Sequence, residues 1–332
     1  MAQLAVVGAT SWGVTLSWLL SRTGHNVTLV TRRPDEAAKL NRTRTIARMP
    51  ELTLPPSVAA VAVTALGGDT EVEAAVIAVP AQNLRLTLTS LPHSWRERPI
   101  LSAAKGIELA SDRLMHAVTA EEGWPSALVA ALSGPNLAHE IARGAPAASV
   151  VACPDARLAE RWQVWLGAPG FRVYRSTDVI GVEVAGALKN VIAIAAGAAF
   201  QLGLGSNGIA TLVTRGLAEL TRLGVAMGGQ PETFSGLAGL GDLCATCYSD
   251  LSRNRRLGEL IAAGQSPAAA LAAIREVVEG AATAPVARRL AESLGIDMPI
   301  TAAVCEVLEG RATPEGALAA LMGRPLVAEV GA

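Results

Sequence analysis

The first half of the chain alternates short apolar segments with helical ones, and this alternation ends near residue 177. Most of the apolar segments are nearly continuous in Ala, Val, Ile and Leu, which is typical of strands covered on both faces. Strands and helices that alternate in this way fold into a doubly wound parallel sheet. The segments that we predict as strands are "QLAVVGA", "HNVTLVT", "EAAVIAVP", "PILSAAKG", "SALVAALSG", "AASVVAC" and "FRVYRS".

Beyond about Thr177 the strand pattern gives way to long segments rich in Ala and Leu, with apolar residues three or four positions apart. This spacing predicts amphipathic helices, and Thr177 or Asp178 is suited to cap the first of them. We therefore predict an α/β Rossmann-type domain over residues 1–178 and an all-α domain over residues 179–332. Further helices are predicted in "IATLVTRGLAELTRLGVAMGG", "SRNRRLGELIAAG", "PAAALAAIREVV", "TAPVARRLAESLG", "PITAAVCEVLEG" and "TPEGALAALMG".

The composition excludes several classes of partner. Nucleic acids and anionic membranes favour basic proteins, whereas this chain has a formal net charge of -1. The uncharged run from Asn190 to Thr214 is interrupted by glycines and polar residues, so we predict a buried helix, a loop and a second helix there and no membrane insertion. The first ten residues show no basic segment and no cleavage site, so we expect a cytoplasmic protein.

Cys244 and Cys247 form a CxxC motif, for which one interpretation is a metal or redox pair. A structural zinc site needs four ligands, however, and the sequence contains no second CxxC and no HxxxH. The other interpretation, which we prefer, is a pair of buried reduced thiols. The four histidines also lack metal-binding spacing, so we predict no metal site.

The segment "AVVGATSWGVTLSWLL" predicts a strand, a tight turn and a helix. Gly8 permits the turn, Gly13 permits close packing of helix and strand, and the helix N-terminus offers free N–H groups to a pyrophosphate. Thr10 replaces the second glycine of the GxGxxG pattern, so the match is degenerate. A turn without a nucleotide is the alternative, but its place at the start of a βαβ unit favours nucleotide binding.

The second predicted strand leads into Thr31, Arg32 and Arg33. Folds that select NAD carry an acidic residue here, which accepts a hydrogen bond from the ribose 2′-hydroxyl. This chain has two guanidinium groups instead, and a guanidinium suits a 2′-phosphate. We predict binding of NADP(H), with NAD(H) tolerated; a solvated basic turn is the alternative.

Two lysines occupy positions that suit catalysis. Lys105 follows a predicted strand, and the carboxyl ends of parallel strands are where α/β folds bind ligands. Lys189 lies on an almost uncharged helix, next to a face of small residues that leaves room for a ligand or for another helix. These small residues are Gly186, Ala193, Ala196 and Gly197. A lysine that extends from a helix edge to solvent is the alternative for Lys189.

Further along the chain, a predicted glycine-rich loop leads to Asp242, and Ser252, Arg253 and Asn254 stand at the start of a predicted helix. An arginine together with the free N–H groups of a helix N-terminus forms an anion site. The sequence therefore predicts a substrate that carries an anionic group such as a phosphate.

In this order and spacing, the motifs resemble those of the bacterial-type NAD(P)-dependent glycerol-3-phosphate dehydrogenases over nearly the whole chain. The matching segments are "GATSWG", "AAKGIE", "LSGPNLAHEIA", "VEVAGALKNVIAIAAG", "GLGDLCATCYSDLSRNRRLG" and "VVEGAATA". The resemblance implies reversible hydride transfer between NAD(P)H and dihydroxyacetone phosphate, which gives sn-glycerol 3-phosphate for glycerophospholipid synthesis.

The resemblance also implies roles for individual residues. Lys189 would act as acid or base on the substrate oxygen, and Lys105 would touch both substrate and cofactor. The implied substrate-binding residues are Lys105, Gly134, Asn136, Lys189, Asp242, Ser252, Arg253 and Asn254. The implied cofactor-binding residues are Gly8, Ser11, Trp12, Gly13, Arg32, Arg33, Lys105, Ala138, Arg253, Val277 and Glu279. The segment around Met49 lacks the tyrosine that many members carry.

The chemistry of these residues agrees with such a reaction. Hydride transfer to a ketone builds negative charge on the carbonyl oxygen, which a positioned ammonium group can stabilise and then protonate. Burial and a second cation would lower the pKa of Lys189 toward neutrality, whereas a nearby Asp242 would orient its ammonium group and raise that pKa.

Two other functions compete with this one. A ketopantoate or β-hydroxyacid reductase has no use for a phosphate site such as Ser252, Arg253 and Asn254. A nucleotide-sensing protein without catalysis would not need Lys105, Lys189 and Asp242. The apolar helical domain would suit a homodimer interface, although core packing explains its composition equally well.

Overall fold

The computed structural model describes residues 1–68, 70–326, 328 and 329. The last three residues of the predicted helical domain, 330–332, lie outside this range. Within the described residues, an eight-stranded sheet has the strand order β3-β2-β1-β4-β5-β6-β7-β8. The strands are β1 Gln3–Val7, β2 Asn26–Thr31, β3 Val58–Ala62, β4 Ala74–Ile77, β5 Ile100–Ser102, β6 Val129–Ser133, β7 Ala147–Ala152 and β8 Phe171–Ser176.

The sheet differs from the prediction in two respects. The sheet is mostly parallel, which confirms the predicted fold class, but β7 runs antiparallel to β6, a detail that the prediction did not contain. An antiparallel neighbour does not need a long helical crossover, and only the short helix α5 (Ala138–Ala142) lies between these strands. The sequence prediction also missed β3, an edge strand composed of Ala and Val, because alanine has a low strand propensity.

Helices cover the sheet and form the second half of the chain, as predicted. Those that precede residue 178 are α1 Ser11–Arg22, α2 Pro34–Thr43, α3 Leu84–Thr89, α4 Met115–Glu121, α5 and α6 Ala156–Leu166. Those that follow are α7 Val179–Gln201, α8 Gly205–Ala226, α9 Pro231–Ser235, α10 Asp242–Tyr248, α11 Arg253–Ala262, α12 Pro267–Ala273, α13 Glu279–Leu294, α14 Pro299–Leu308 and α15 Pro314–Met322.

Two helical predictions need correction. The segment "PAAALAAIREVV" is helical only as far as Ala273, and Arg275 then adopts a left-handed backbone with φ +36°. The glycine-rich segment before Asp242 is not a loop, because Leu237–Gly241 forms a turn of π-helix that leads directly into α10. Such turns are frequent at functional sites, and this one determines where α10 presents Asp242.

Helix α7 is the core of the second half. By length and composition it could cross a membrane, but 89% of its most apolar window is buried inside the protein. Asp178 caps it, as one of the two predicted caps, by accepting a hydrogen bond from the Gly181 N–H at 2.8 Å. A Cβ on Gly197 would lie 1.8 Å from Arg255 O, and one on Gly258 would lie 1.9 Å from Ile194 O. The small-residue face of α7 therefore receives α11 at backbone contact.

Candidate active site

Two lysines and one aspartate meet at the carboxyl edge of the sheet. Lys105 lies just beyond β5, Lys189 lies in the middle of α7, and Asp242 is the first residue of α10. The Lys105 Nζ is 2.7 Å from Asp242 Oδ2, and the Lys189 Nζ is 2.6 Å from Asp242 Oδ1. Each oxygen of one carboxylate thus holds one ammonium group. The structure therefore brings together the three residues that the sequence analysis assigned to catalysis.

Each ammonium group has a second acceptor within the protein. Lys105 donates to Gly134 O at 2.8 Å, and Lys189 donates to Thr246 Oγ1 at 2.7 Å. An ammonium group carries three N–H donors, so in the described part of the chain each lysine retains one for a further acceptor. The Lys189 side chain is only 8% exposed. A ligand oxygen that reaches it would enter a site of low dielectric, where a charge-assisted hydrogen bond is strong.

Burial and neighbouring charges set the protonation of this cluster. Burial alone would raise the pKa of Asp242, but Lys105 and Lys189 outweigh burial and hold this pKa below its usual value. Burial, assisted by the charge of Lys105 and opposed by that of Asp242, lowers the pKa of Lys189 to about 8. An amine with such a pKa can both donate and accept a proton near neutral pH.

The turn after β6 presents a carbonyl group to Lys105. Gly134 has φ +137°, and a Cβ there would lie 3.0 Å from Ser149 Cα, so this position needs glycine. From the other side, a Cβ on Gly186 of α7 would lie 2.7 Å from Ser133 Oγ. The small residue at Gly186 therefore lets α7 approach the turn closely.

Two more predicted site residues follow in the same segment. Asn136 donates from Nδ2 to Ser149 Oγ at 3.0 Å, and Ala138 begins α5. Both lie on the side of the sheet edge that carries Gly134, one strand away from Lys105. The turn thus combines two predicted substrate positions with one predicted cofactor position.

The predicted anion site lies at the start of α11. Ser252 caps this helix, since its Oγ accepts a hydrogen bond from the Arg255 N–H at 3.2 Å. Arg253 is about half exposed, and its guanidinium group contacts Glu276 at 3.0 Å. An exposed pair of this kind is weak, so Arg253 can exchange its partner for another anion.

Asn254, the third residue of the predicted anion site, is buried and uses both ends of its carboxamide within the protein. The Gly280 N–H donates to Asn254 Oδ1 at 2.9 Å, and Asn254 Nδ2 donates to Asn190 Oδ1 at 2.9 Å. Asn190 in turn donates to Lys105 O at 3.0 Å. The side chain of Asn254 therefore connects the start of α11 with α13, α7 and the Lys105 segment.

The turn between β1 and α1 has the geometry of a nucleotide-binding turn. Gly8 has φ +110°, and a Cβ on Gly13 would lie 1.9 Å from Gly8 O, so both glycines are required. Thr10 caps α1: its Oγ1 accepts from the Gly13 N–H at 3.0 Å and donates to Ala78 O at 2.9 Å. Thr10 thus connects the turn to the end of β4, a contact that glycine cannot make.

Two further predicted cofactor residues stand at the start of α1. Ser11 and Trp12 are the first two residues of α1, and the Trp12 ring packs edge-to-face on Phe171. Met49 is completely buried beside Thr15, so it belongs to the core under α1.

Arg32 and Arg33 lie at the carboxyl end of β2 and are exposed. In the sheet order, β1 and β4 separate them from the strand that leads to Lys105. Arg33 contacts the exposed Asp35 at 3.2 Å. The structure therefore leaves these two guanidinium groups apart from the catalytic cluster, at the position where a ribose 2′-substituent is recognised in this kind of fold.

Val277 and Glu279 lie before and at the start of α13. Val277 is 45% exposed, and Glu279 Oε1 accepts a hydrogen bond from the Ala81 N–H at 2.9 Å. Burial raises the pKa of Glu279. This contact joins the helical half of the chain to the segment that follows β4.

Buried polar atoms provide a test of whether the site fits a ligand. Among the described residues, five buried side-chain polar atoms have no hydrogen-bond partner: Trp12 Nε1, Asn136 Oδ1, Glu279 Oε2, Trp162 Nε1 and Arg222 Nε. Buried polar atoms in proteins are normally paired. The first three of these atoms belong to residues predicted to contact the substrate or the dinucleotide, which is consistent with a ligand that supplies their missing partners.

The CxxC motif does not form a metal centre in the described part of the chain. Cys244 and Cys247 are free thiols on α10, and burial raises the pKa of both. In the same range of residues, no group of three His, Cys, Asp or Glu side chains could hold a metal ion.

Sequence reasoning missed three residues of the cluster. Thr246 stands four positions after Asp242 and thus on the same face of α10, a signal that could have identified it. Asn190 follows Lys189, but its neighbours on α11 and α13 are far away in the sequence. Ser149 lies within a buried strand and gives no signal at all.

Comparisons with known proteins identify the family to which the chain belongs. Residues 3–159 match the family model for the NAD-dependent glycerol-3-phosphate dehydrogenase N-terminus, and residues 178–319 match that for the C-terminus. The chain is 46% identical to the glycerol-3-phosphate dehydrogenase [NAD(P)+] of Corynebacterium aurimucosum over 99% of this chain and 100% of that protein. It is 47% identical to the corresponding protein of Corynebacterium diphtheriae over 97% of this chain and 98% of that protein.

A solved structure supports the same assignment. The glycerol-3-phosphate dehydrogenase of Coxiella burnetii superimposes with a TM-score of 0.89 at 34% identity, over 97% of this chain and 99% of that chain. Both halves of the chain thus match, and the chain belongs to the NAD-dependent glycerol-3-phosphate dehydrogenase family.

Proposed function

We propose that the protein is an NAD(P)-dependent oxidoreductase that interconverts dihydroxyacetone phosphate and sn-glycerol 3-phosphate for glycerophospholipid synthesis. One observation carries this proposal: two ammonium groups share one buried carboxylate, and each retains an N–H donor. Such a pair suits a carbonyl oxygen that gains negative charge and then a proton.

Lys189 is the acid–base residue of the proposed mechanism. In ketone reduction its ammonium group stabilises the developing alkoxide and transfers one proton to it; in the reverse direction the neutral amine removes this proton. Asp242 holds Lys189 and Lys105 in place, and Lys105 supplies the second donor to the substrate. A nicotinamide cofactor, when bound, would supply or accept the hydride.

The start of α11 binds the substrate phosphate in this proposal. Arg253 exchanges Glu276 for the phosphate, and the capped N-terminus of α11 adds its dipole. Because α11 contacts α7 at backbone distance, binding of the phosphate fixes the carbonyl carbon relative to Lys189. The remote anion thus contributes binding energy that orients the reacting group.

The turn that contains Gly8 and Gly13, at the N-terminus of α1, would hold the pyrophosphate of the dinucleotide. Arg32 and Arg33 contact the ribose 2′-phosphate, so the protein accepts NAD(H) and prefers NADP(H). The unpaired atoms of Trp12 and Glu279 support dinucleotide contacts at these positions.

Oxidation of NADPH upon addition of dihydroxyacetone phosphate, followed by absorbance, tests the function. We expect turnover with this substrate and none with ketopantoate or β-hydroxyacids, because those substrates lack a phosphate for Arg253. Turnover of ketopantoate without that of dihydroxyacetone phosphate would overturn the proposal.

We also propose that the domain boundary lies between residues 178 and 179 and that the protein acts in the cytoplasm as a homodimer. The end of β8 and the start of α7 support the boundary. The free thiols support a reducing compartment. Exposed Val225 and Leu240 in the helical half offer apolar area for a second copy, and sedimentation at several concentrations tests this assembly.

A further inference from the structure

A buried hydroxyl group lies beneath the turn that holds Lys105. Ser149, on β7, is 0% exposed. Its Oγ donates to Ser133 O at 2.8 Å and accepts from Asn136 Nδ2 at 3.0 Å. The same residue also limits the space at Gly134, where a Cβ would lie 3.0 Å from Ser149 Cα. The Ser149 side chain therefore contacts both ends of the turn formed by residues 133–136, which we call the catalytic turn.

The hydrogen-bond direction in this arrangement is determined. A serine hydroxyl has one hydrogen, and that of Ser149 is used on Ser133 O, which can only accept. Ser149 Oγ must therefore accept from Asn136, so the amide nitrogen of Asn136 faces Ser149 and its Oδ1 points away. The hydroxyl thus selects one of the two orientations of the Asn136 carboxamide.

The catalytic turn acts directly on the charged cluster. Gly134 O is the second acceptor of the Lys105 ammonium group, at 2.8 Å. Ser133 Oγ lies 3.4 Å from Asp242 Oδ2, the oxygen that also accepts from Lys105. A shift of the turn would therefore displace an acceptor of Lys105, and errors of about 1 Å in such geometry can cost up to about 10²-fold in rate.

We propose that Ser149 is a positioning residue of this enzyme: it holds the catalytic turn so that Gly134 O orients Lys105 and the Asn136 carboxamide faces the ligand in one orientation. This inference rests on the proposed function, because it assigns Ser149 a role in the same reaction. Ser149 has no contact with the substrate and acts through Lys105 and Asn136.

The test compares Ser149→Ala and Ser149→Thr with the wild type in the reduction of dihydroxyacetone phosphate by NADPH. We expect Ser149→Ala to lower kcat on the order of tenfold with a smaller change in KM, and Ser149→Thr, which keeps the hydroxyl group, to restore most of kcat.

Thr119→Val is the matched control. It removes a buried hydroxyl that donates to Met115 O at 2.7 Å on α4, and we expect it to lower stability but not kcat. If Ser149→Ala does not fold, Ser149→Cys replaces it, since a thiol keeps the volume and forms weaker hydrogen bonds.

A double-mutant cycle with Lys105→Ala separates positioning from a purely structural role. If Ser149 acts through Lys105, Ser149→Ala causes little further loss of kcat in the Lys105→Ala background. Additive losses, or a kcat of Ser149→Ala within twofold of the wild type, would overturn the inference while the function stands. Absence of wild-type turnover would instead overturn the proposed function.

Discussion

The two ends of the proposed cleft hold positive charge in opposite ways. At the catalytic end, Lys105 and Lys189 are fixed by a shared carboxylate, and the Lys189 side chain is only 8% exposed. At the nucleotide end, Arg32 and Arg33 are exposed, and an ion pair there joins Arg33 to a carboxylate that is itself 72% exposed. Buried charges interact strongly and depend on geometry, whereas exposed charges are screened by water and salt. The first arrangement suits chemistry on one atom, and the second suits recognition of a mobile phosphate.

Asp242→Asn should show the largest effect, because it leaves two ammonium groups around a neutral side chain. We expect a loss of about 3 kcal/mol in the free energy of unfolding, as is typical when one partner of a buried ion pair is removed. Thermal and denaturant unfolding measure this loss. Asp297→Asn, which removes an exposed partner of Arg324, is the control and should change stability by less than about 1 kcal/mol. Equal effects of the two variants would contradict the contrast between the buried and exposed regions.

Lys189→Ala should lower kcat on the order of 10²-fold or more, because it removes the group that transfers the proton. Steady-state rates with saturating NADPH measure the effect. The exposed Lys39 on α2 offers a control, and Lys39→Ala should retain wild-type turnover. Near-normal kcat in Lys189→Ala would refute the proposed mechanism.

Arg253→Ala tests a half-exposed cation, which is intermediate between the buried lysines and the exposed Arg32 and Arg33. Loss of a charged hydrogen bond to the phosphate should raise KM for dihydroxyacetone phosphate by about tenfold or more. The change in KM should exceed that in kcat, and the KM for NADPH should change less. A variant with wild-type KM would mean that the phosphate binds elsewhere.

The pH dependence distinguishes buried from exposed charge without mutation. Ketone reduction needs protonated Lys189, so its kcat/KM should fall about tenfold per pH unit above a pKa of about 8. Oxidation of glycerol 3-phosphate needs the neutral amine, so its kcat/KM should rise with pH up to this value. Because Lys189 is buried, added salt should barely move the midpoint. Profiles that change in the same direction for both reactions would exclude this role of Lys189.

The double variant Arg32→Ala/Arg33→Ala should give the smallest effect. We expect the Kd for NADPH to increase about tenfold, with little change for NADH, since only NADPH carries the 2′-phosphate. The difference should shrink at high salt, because both side chains are exposed. Arg42→Ala, which removes another exposed guanidinium group on α2, is the control and should leave the Kd for NADPH unchanged. Equal weakening of both cofactors would refute the assignment.

The same contrast explains how much the sequence could predict. Strands such as β1 and β4 were predictable because burial on both faces requires nearly continuous apolar residues. Gly8 and Gly13 were predictable because the tight turn and the close packing of α1 require glycine. The antiparallel direction of β7 could not be predicted, because the direction of a strand depends on its partners in space and leaves no local pattern in the sequence. Lys189 stood out because charge is costly on an apolar helix. Ser149 and Asn190 gave no such signal, because their roles arise from partners that the fold brings in from distant segments.

Helix α7 carries a consequence for synthesis of the protein. It is a 23-residue apolar segment that leaves the ribosome before α8, α11 and α13, the helices that pack over it in the finished molecule. Until those helices have been synthesised, the nascent chain exposes an apolar surface of the kind that chaperones bind and that promotes aggregation. Truncation between residues 263 and 278 would remove α13 and make part of this exposure permanent, so such deletions should abolish soluble expression although Lys105, Lys189 and Asp242 are still encoded.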